Sequence, residues 1–343
     1  MIKLKYYGGM AALKGVERVR VSVGSAIVLG LVKGVVSAEP TTVYLLTYRE
    51  GRCSANCAFC PQAKDSTSRA DMLSRVIWPD FKVDDVINGI KKSVENEKIK
   101  RVCIQALNYY GVQRDLEQLV SKIRSSCKVP ISISCQPLTV EDMIRLSRVG
   151  VERISISLDA VTEEIFSRVK GELAGGPYRW NHHLSALKDA IKVFGRGRVT
   201  THLIAGLGES EEEFISMIQR CVDQGIFPAL FAFTPVQGTR MANYPRPPIT
   251  YYRRVQIAHY LITRGIKRYE DMVFKDGRLI SFGVPYEDLK KIILTGEPFK
   301  TSGCPGCNRP YYNEDPRGPI YNYPKDPDVK DIIAIQREIA LTL

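Results

Sequence analysis

Six short runs rich in β-branched and aromatic residues, at 43–48, 101–105, 131–135, 153–158, 199–204 and 229–233, alternate with amphipathic stretches at 84–95, 113–125, 139–149, 181–194, 210–224 and 251–264. This alternation constrains the fold more than any other feature, because strands separated by helix-length crossovers pair in parallel and bury both faces of the sheet. Helix starts carry matching caps, with Thr139 three residues before Asp142 and Ser210 three before Glu213. Weaker runs at 272–275 and 279–282 would raise the strand count to eight. The expectation is an α/β fold, a (βα) TIM-type barrel, complete or nearly complete, with its active groups at the carboxyl ends of the strands. Three regions follow: a helical preface over 1–40 that caps one end, the barrel over 41–295, and an extension over 296–343. The extension is rich in Gly, Pro, Tyr and Asn over 301–327, which predicts an ordered extension or a mobile lid, then a closing helix over 328–341.

Chemistry is concentrated in the loop after the first run, where Cys53, Cys57 and Cys60 stand in Cys-Ser-Ala-Asn-Cys-Ala-Phe-Cys. Three thiolates this close can hold three irons of a [4Fe–4S] cube and leave the fourth iron open to a small molecule. A disulfide framework and a zinc site are the alternatives. Structural zinc asks for four ligands, commonly in paired C-x-x-C knuckles, and this loop has three with no nearby His. Nine cysteines, an odd number in two tight clusters, fit metal ligation in a reducing compartment better than disulfides.

The best apolar run, 25–36, is short for a membrane span and is interrupted by Lys33, and the first residues lead into charged sequence rather than a secretory core. A cytoplasmic protein without membrane partners is expected. Lys plus Arg outnumber Asp plus Glu by 49 to 37, so the surface should attract acidic partners. The basic residues are scattered, with no long tract or aromatic recognition motif, which gives little reason to expect nucleic acid. An acidic protein accounts for the charge equally well.

With Pro61-Gln62 behind it, the cysteine loop resembles the signature of radical S-adenosylmethionine (SAM) enzymes, and its ending resembles that of biotin synthase. The resemblance implies SAM bound to the open iron and a 5′-deoxyadenosyl radical formed from it. It also implies SAM contacts at Phe59, at the Ser157-Leu-Asp159 pair where the family has Asn-x-Asp, and at Ile204 and Gly206 of Leu-Ile-Ala-Gly-Leu-Gly-Glu. A carboxylate at Asp159 can accept from both ribose hydroxyls, or it can merely cap the helix that begins near Val161. His183 falls where biotin synthase has an Arg for the SAM carboxylate, and nearby Arg179 could serve instead. Ala106-Leu-Asn108 replaces the superfamily's Gly-Gly-Glu.

Of the remaining cysteines, Cys127 and Cys221 read as ordinary buried side chains. Cys103 and Cys135 match strand cysteines that hold a second cluster in biotin synthase, while Thr200 stands where that family has its third. Cys304-Pro-Gly-Cys307 could complete a quartet for a second, sacrificial cluster of the [4Fe–4S] kind, with zinc as the rival occupant. The tail around it resembles the biotin-synthase-like radical SAM proteins that form the two-component lipoyl synthase of archaea. That resemblance implies sulfur insertion at C6 or C8 of an octanoyl-lysine on an acidic lipoyl-carrier domain, with a sister radical SAM subunit and an electron donor such as ferredoxin. Biotin synthase, another sulfur-inserting radical SAM enzyme, and a non-catalytic iron–sulfur carrier or scaffold are the alternatives. No side chain outside the clusters is required as acid or base.

Overall fold

The structure, a computed structural model, describes residues 15–315 and 317–340. Expectations about residues 1–14 and 341–343, including the last residue of the closing helix expected over 328–341, therefore fall outside the described residues. The chain begins with strand β1 (Arg18–Val21) and the short helix α1 (Val23–Val28), then enters β2 (Thr42–Thr47). After the cysteine loop come β3 (Met72–Leu73), β4 (Val76–Ile77) and β5 (Asp80–Lys82). The repeating part follows as α2 (Val83–Glu95), β6 (Arg101–Gln105), α3 (Val112–Ser126), β7 (Ile131–Cys135), α4 (Val140–Arg148) and β8 (Arg153–Ile156). It continues through α5 (Glu163–Val169), α6 (Trp180–Phe194), β9 (Val199–Ala205), α7 (Glu211–Asp223), β10 (Ile226–Ala232) and α8 (Ile249–Thr263). Strands β11 (Val273–Lys275) and β12 (Arg278–Ser281) and helices α9 (Tyr286–Leu294) and α10 (Val329–Ala340) complete it.

The main sheet runs β10-β9-β8-β7-β6-β2-β1-β5 and does not close. All neighbours from β2 through β10 in this order pair in parallel, whereas β1 is antiparallel to β2 and to β5. A complete barrel is thus replaced by an open α/β sheet with β10 and β5 at its edges. The two weaker runs do not extend it: β11 and β12 pair with each other. Asp276 and Gly277 join them with φ of 50° and 74°, the paired positive values of a tight hairpin turn. Of the helical content expected before residue 40, the described part supplies only α1, and the segment ahead of it is strand β1.

Pleating sorts the side chains of each strand. On β6, Val102 and Ile104 are buried in the core against the helices, while Cys103 and Gln105 line the inner cavity. The helices begin where their caps place them. Thr139 Oγ1 accepts from Asp142 N–H at 3.1 Å, and Ser210 and Glu213 form a reciprocal capping box.

The tail is an ordered extension lying across the open side of the sheet. Ser302 Oγ accepts from Leu230 N–H on β10 at 2.7 Å. Thr41, ahead of β2, donates to Gly306 O at 2.6 Å, and Ser74 between β3 and β4 donates to Tyr312 O at 2.9 Å. Phe299, Tyr312, Tyr321 and Tyr323 are buried by this docking, and α10 is tied to α8 by the Arg253–Glu338 ion pair at 2.7 Å. Among the described residues, no helix is long and apolar enough to cross a membrane.

Candidate active site

The loop after β2 is held by its own backbone. Cys60 N–H donates to Cys57 O at 3.1 Å, Cys53 N–H to Gln62 O at 3.1 Å, and Lys64 N–H to Ala55 O at 2.8 Å. Ala58 N–H donates to Val169 O at 2.7 Å, which fixes the loop to the end of α5. Cys53 Sγ accepts from Asn108 N–H at 3.2 Å. Burial pushes the Cys57 thiol well above its ordinary range, opposed by the Lys170 ammonium and reinforced by Cys60, Asp159 and Cys53. Burial and the neighbouring Cys53 push Cys60 up to about 12. The Cys57 and Cys60 thiols thus resist ionisation in the free protein, and binding to a cationic metal centre is what would relieve that cost.

Around this loop the strand ends supply polar groups. Asp159 and Ser157 are both buried and line the same cavity as Phe59 and Ile204. Asp159 has φ of 65°, fixed by Asp159 N–H donating to His202 O and Ile204 N–H donating to Asp159 O, each at 2.8 Å. Helix α5 is capped by Thr162, whose Oγ1 accepts from Ile165 N–H at 3.3 Å, so the capping role considered for Asp159 belongs to another residue. Asp159 instead meets Lys170, a fully buried lysine whose Nζ lies 2.7 Å from Oδ2 and also donates to Ser157 O. Ser157 Oγ lies 2.9 Å from His202 Nδ1, and burial depresses His202 to about 4, leaving it neutral.

Three expected contacts sit elsewhere. His183 is wholly buried beside Phe166 and Tyr178, with Nε2 3.1 Å from Gln136 Oε1, and does not line the cavity. Arg179 is largely exposed and pairs with Glu172 at 3.5 Å. Gly206 is also outside the cavity wall: its φ of 97° shapes the turn, and a Cβ there would meet the Pro247 ring at 2.8 Å. Glu209 organises that turn by accepting from Gly206 N–H at 2.6 Å, Leu207 N–H at 2.9 Å and the Tyr251 hydroxyl at 2.6 Å.

A second group of thiols lies deeper in the same cavity. Cys304 and Cys307 are joined by a turn, with Cys307 N–H donating to Cys304 O at 2.9 Å and Gly306 at φ of 78°. Burial raises Cys103 far above the ordinary thiol range, and Cys304 and Cys307 are its largest charged contributors, opposed by Arg101 and Arg309. Ser132 Oγ donates to Cys304 Sγ at 3.5 Å. The Tyr44 hydroxyl accepts from Arg309 N–H at 2.8 Å and lies 3.3 Å from Cys307 Sγ, to which it can donate. Cys135 does not join them. It also lines the cavity but packs in the core with Ile131 and Ile133, and burial alone raises its thiol to about 12, with no contribution from another cysteine. Of the four cysteines expected to share a centre, electrostatic contact thus joins Cys103, Cys304 and Cys307.

The cavity that both trios line has a volume of about 250 Å³ and includes the apolar side chains of Leu46, Leu107, Phe231 and Phe233. Tyr44, Leu46, Trp78, Leu107 and Tyr312 form a small apolar cluster that touches Cys53 of one trio and Cys103 and Cys307 of the other. Among the described residues no three His, Cys, Asp or Glu side chains converge tightly enough to hold a single metal ion. A cube asks for less convergence, since each thiolate ends on a different iron. Lys170, Tyr178, Gln136 and Arg309 were missed from the sequence, where no spacing rule marks them.

An open parallel α/β sheet with a three-cysteine loop behind its first parallel strand defines a class of iron–sulfur protein, and comparison with known proteins agrees. Residues 51–221 match the family model of the radical SAM superfamily, so this part of the chain is a radical SAM domain. Its curated relatives include biotin synthases from Sulfurihydrogenibium sp., 26% identical over 58% of this chain, and from Aquifex aeolicus, 23% identical over 59%. The chain spans 57% and 58% of the lengths of these two relatives. In fold it is similar to the FeFe-hydrogenase maturase HydG from Carboxydothermus hydrogenoformans, with TM-score 0.50 and 17% identity over 62% of this chain and 49% of that one. Methylornithine synthase is similar at TM-score 0.50 and 13% identity, over 66% of this chain and 63% of that one. The family match contains Cys53, Cys57, Cys60, Cys103 and Asp159 but stops before Cys304 and Cys307.

Proposed function

We infer that this chain is a radical SAM enzyme that inserts sulfur, of the lipoyl synthase type, acting at C6 or C8 of an octanoyl chain carried on a lysine. The observation that carries this reading is the second trio, Cys103, Cys304 and Cys307, lining the same cavity as Cys53, Cys57 and Cys60. When bound, a cluster with SAM at the first trio would supply a carbon-centred radical, and a second cluster would supply sulfur. Cys53, Cys57 and Cys60 would hold the first cluster, and Phe59, Ser157, Asp159 and Ile204 would wall the nucleoside. Leu46, Leu107 and Phe231 line the route between the trios and exclude water from an extended acyl chain.

Support for a carrier-bound substrate comes from the surface. Arg49 lies over Tyr109 at 5.5 Å and Arg114 over Tyr110 at 5.7 Å, and Tyr110 is almost fully exposed. An acidic lipoyl-carrier domain fits such a basic, aromatic rim. A sister subunit and a ferredoxin-like donor complete the proposal. A cytoplasmic setting suits the nine free thiols.

The biotin synthase reading is favoured by the curated relatives, yet Thr200, in the place of that family's third cysteine, presents a buried hydroxyl without a partner on the cavity wall. The test is mass spectrometry of an octanoyl-lysyl peptide incubated anaerobically with reductant, SAM and the reconstituted chain, with and without a sister subunit. A mass gain of sulfur on the peptide supports the proposal. If a parallel incubation with dethiobiotin gains sulfur while the peptide does not, the assignment moves to biotin synthase, and no 5′-deoxyadenosine in either would favour a cluster carrier.

A further inference from the structure

The residues expected to hold the SAM carboxylate, Arg179 and His183, lie outside the cavity, so the polar group for that end of the ligand must be sought elsewhere. Tyr178 immediately precedes Arg179 in sequence and packs against His183. Only 7% of it is exposed, it lines the cavity, and its hydroxyl has no hydrogen-bonding partner among the described residues. The ring is fixed from two sides: His183 packs edge-on at 5.2 Å, and Lys170 Nζ stands 5.4 Å from its centroid. His183 is itself immobilised by Gln136 at 3.1 Å and by Arg179 O at 3.2 Å, which gives this buried, neutral imidazole a supporting role. An unpaired buried hydroxyl is costly, and a phenylalanine would fill the same space without that cost. A missing acceptor is the physical reason to have tyrosine here.

The acceptor's nature follows from the surroundings. Burial, followed by the charges of Cys57 and Cys53, raises the phenol far above its ordinary range, so it remains a donor. No sulfur of the trio lies within hydrogen-bonding distance of the hydroxyl, although all three cysteines are close enough to act on it electrostatically. The Asn108 side chain is its polar neighbour but does not meet it at hydrogen-bonding geometry. The acceptor must therefore arrive with a ligand, and an anionic oxygen is the group that a fixed donor beside the Lys170 ammonium would hold best.

We propose that the Tyr178 hydroxyl donates a hydrogen bond to the carboxylate of bound SAM and so sets the orientation of the cofactor at the first trio. This rests on the reading of that trio as a SAM-binding cluster site. Lys170, by anchoring Asp159 Oδ2 and Ser157 O and packing against the Tyr178 face, is the positioning residue for both ends of the ligand.

The test uses the anaerobically reconstituted full chain and its Tyr178→Phe variant. Iron and sulfide content are measured first, then equilibrium binding of SAM and of decarboxylated SAM, and the change each makes in the electron paramagnetic resonance of the reduced cluster. The expected result is unchanged iron and sulfide, a SAM dissociation constant raised about tenfold or more, and no change in affinity for decarboxylated SAM. An unchanged SAM affinity overturns the proposal, as does an equal loss for both ligands. A changed cluster spectrum before any SAM is added also overturns it, because the hydroxyl would then be bonding to the cluster. If the wild-type chain itself binds no SAM, the reading of the trio fails along with the proposal. Normal wild-type binding with an unaffected variant sinks only the role of Tyr178.

Discussion

Cys103 and Cys135 stand on neighbouring parallel strands and both line the cavity, yet only Cys103 feels the charges of Cys304 and Cys307. The register pairs Cys103 with Ser132, and Ser132 shares its face with Ser134, which leaves Cys135 on the side of Ile133. Replacing Cys103 with Ala should remove the iron of the second centre, while Cys135→Ala should leave it in place and cost only a small core cavity. Iron and sulfide analysis of the two variants checks this, and equal losses would mean that the trio is misassigned. The parity was legible in Ile-Ser-Ile-Ser-Cys, since residues two apart share a face. Lys170 was not legible. Nothing in its spacing distinguishes it from a solvated surface lysine, and only the crossover from β8 through α5 brings it under Asp159. With one partner removed, the other stays buried and charged, so Lys170→Met should lower stability by about 3 kcal/mol. Thermal denaturation measures that loss, and an unchanged melting temperature would show that the pair is not held as described.

Among the elements, the parallel strands β2 and β6 to β10 were readable because each combines a β-rich run with a following amphipathic helix. Edge elements were harder to read. A four-residue strand such as β1 offers too few positions for a two-residue period to stand out, and its pairing with β2 depends on contacts 24 or more residues away. The Asp276-Gly277 turn, which a reading of the two runs as barrel strands passes over, pairs β11 with β12 as a hairpin and keeps them out of the main sheet. The tail's composition revealed irregular structure but not its destination across the open sheet. Its proposed role, sulfur supply, is separable from radical formation at the first loop. Cys304→Ala combined with Cys307→Ala should still release 5′-deoxyadenosine from SAM but yield no sulfur-containing product. Loss of both activities would mean that the tail supports the first site as well, and retention of both would remove the sulfur-supply role of the tail.

Over the whole molecule, a formal charge of +12 surrounds a cavity whose proposed substrate arrives on another protein. Attraction between a basic rim and an acidic carrier is screened by salt, whereas entry of a short neutral peptide is not. Turnover on an intact octanoyl carrier domain should therefore fall steeply between low and physiological ionic strength, with little change on an octanoyl-lysyl peptide. The same salt dependence for both substrates would point away from docking by charge. The molecule otherwise reads as one cavity with thiolates grouped at two depths. The measurement that tests this account most directly is iron and acid-labile sulfide per chain after anaerobic reconstitution of the variant with Cys53, Cys57 and Cys60 all changed to Ala. Two separate cluster sites predict that about four irons and about four sulfides remain in this variant. Complete loss of both, or one bound metal without sulfide, would contradict it.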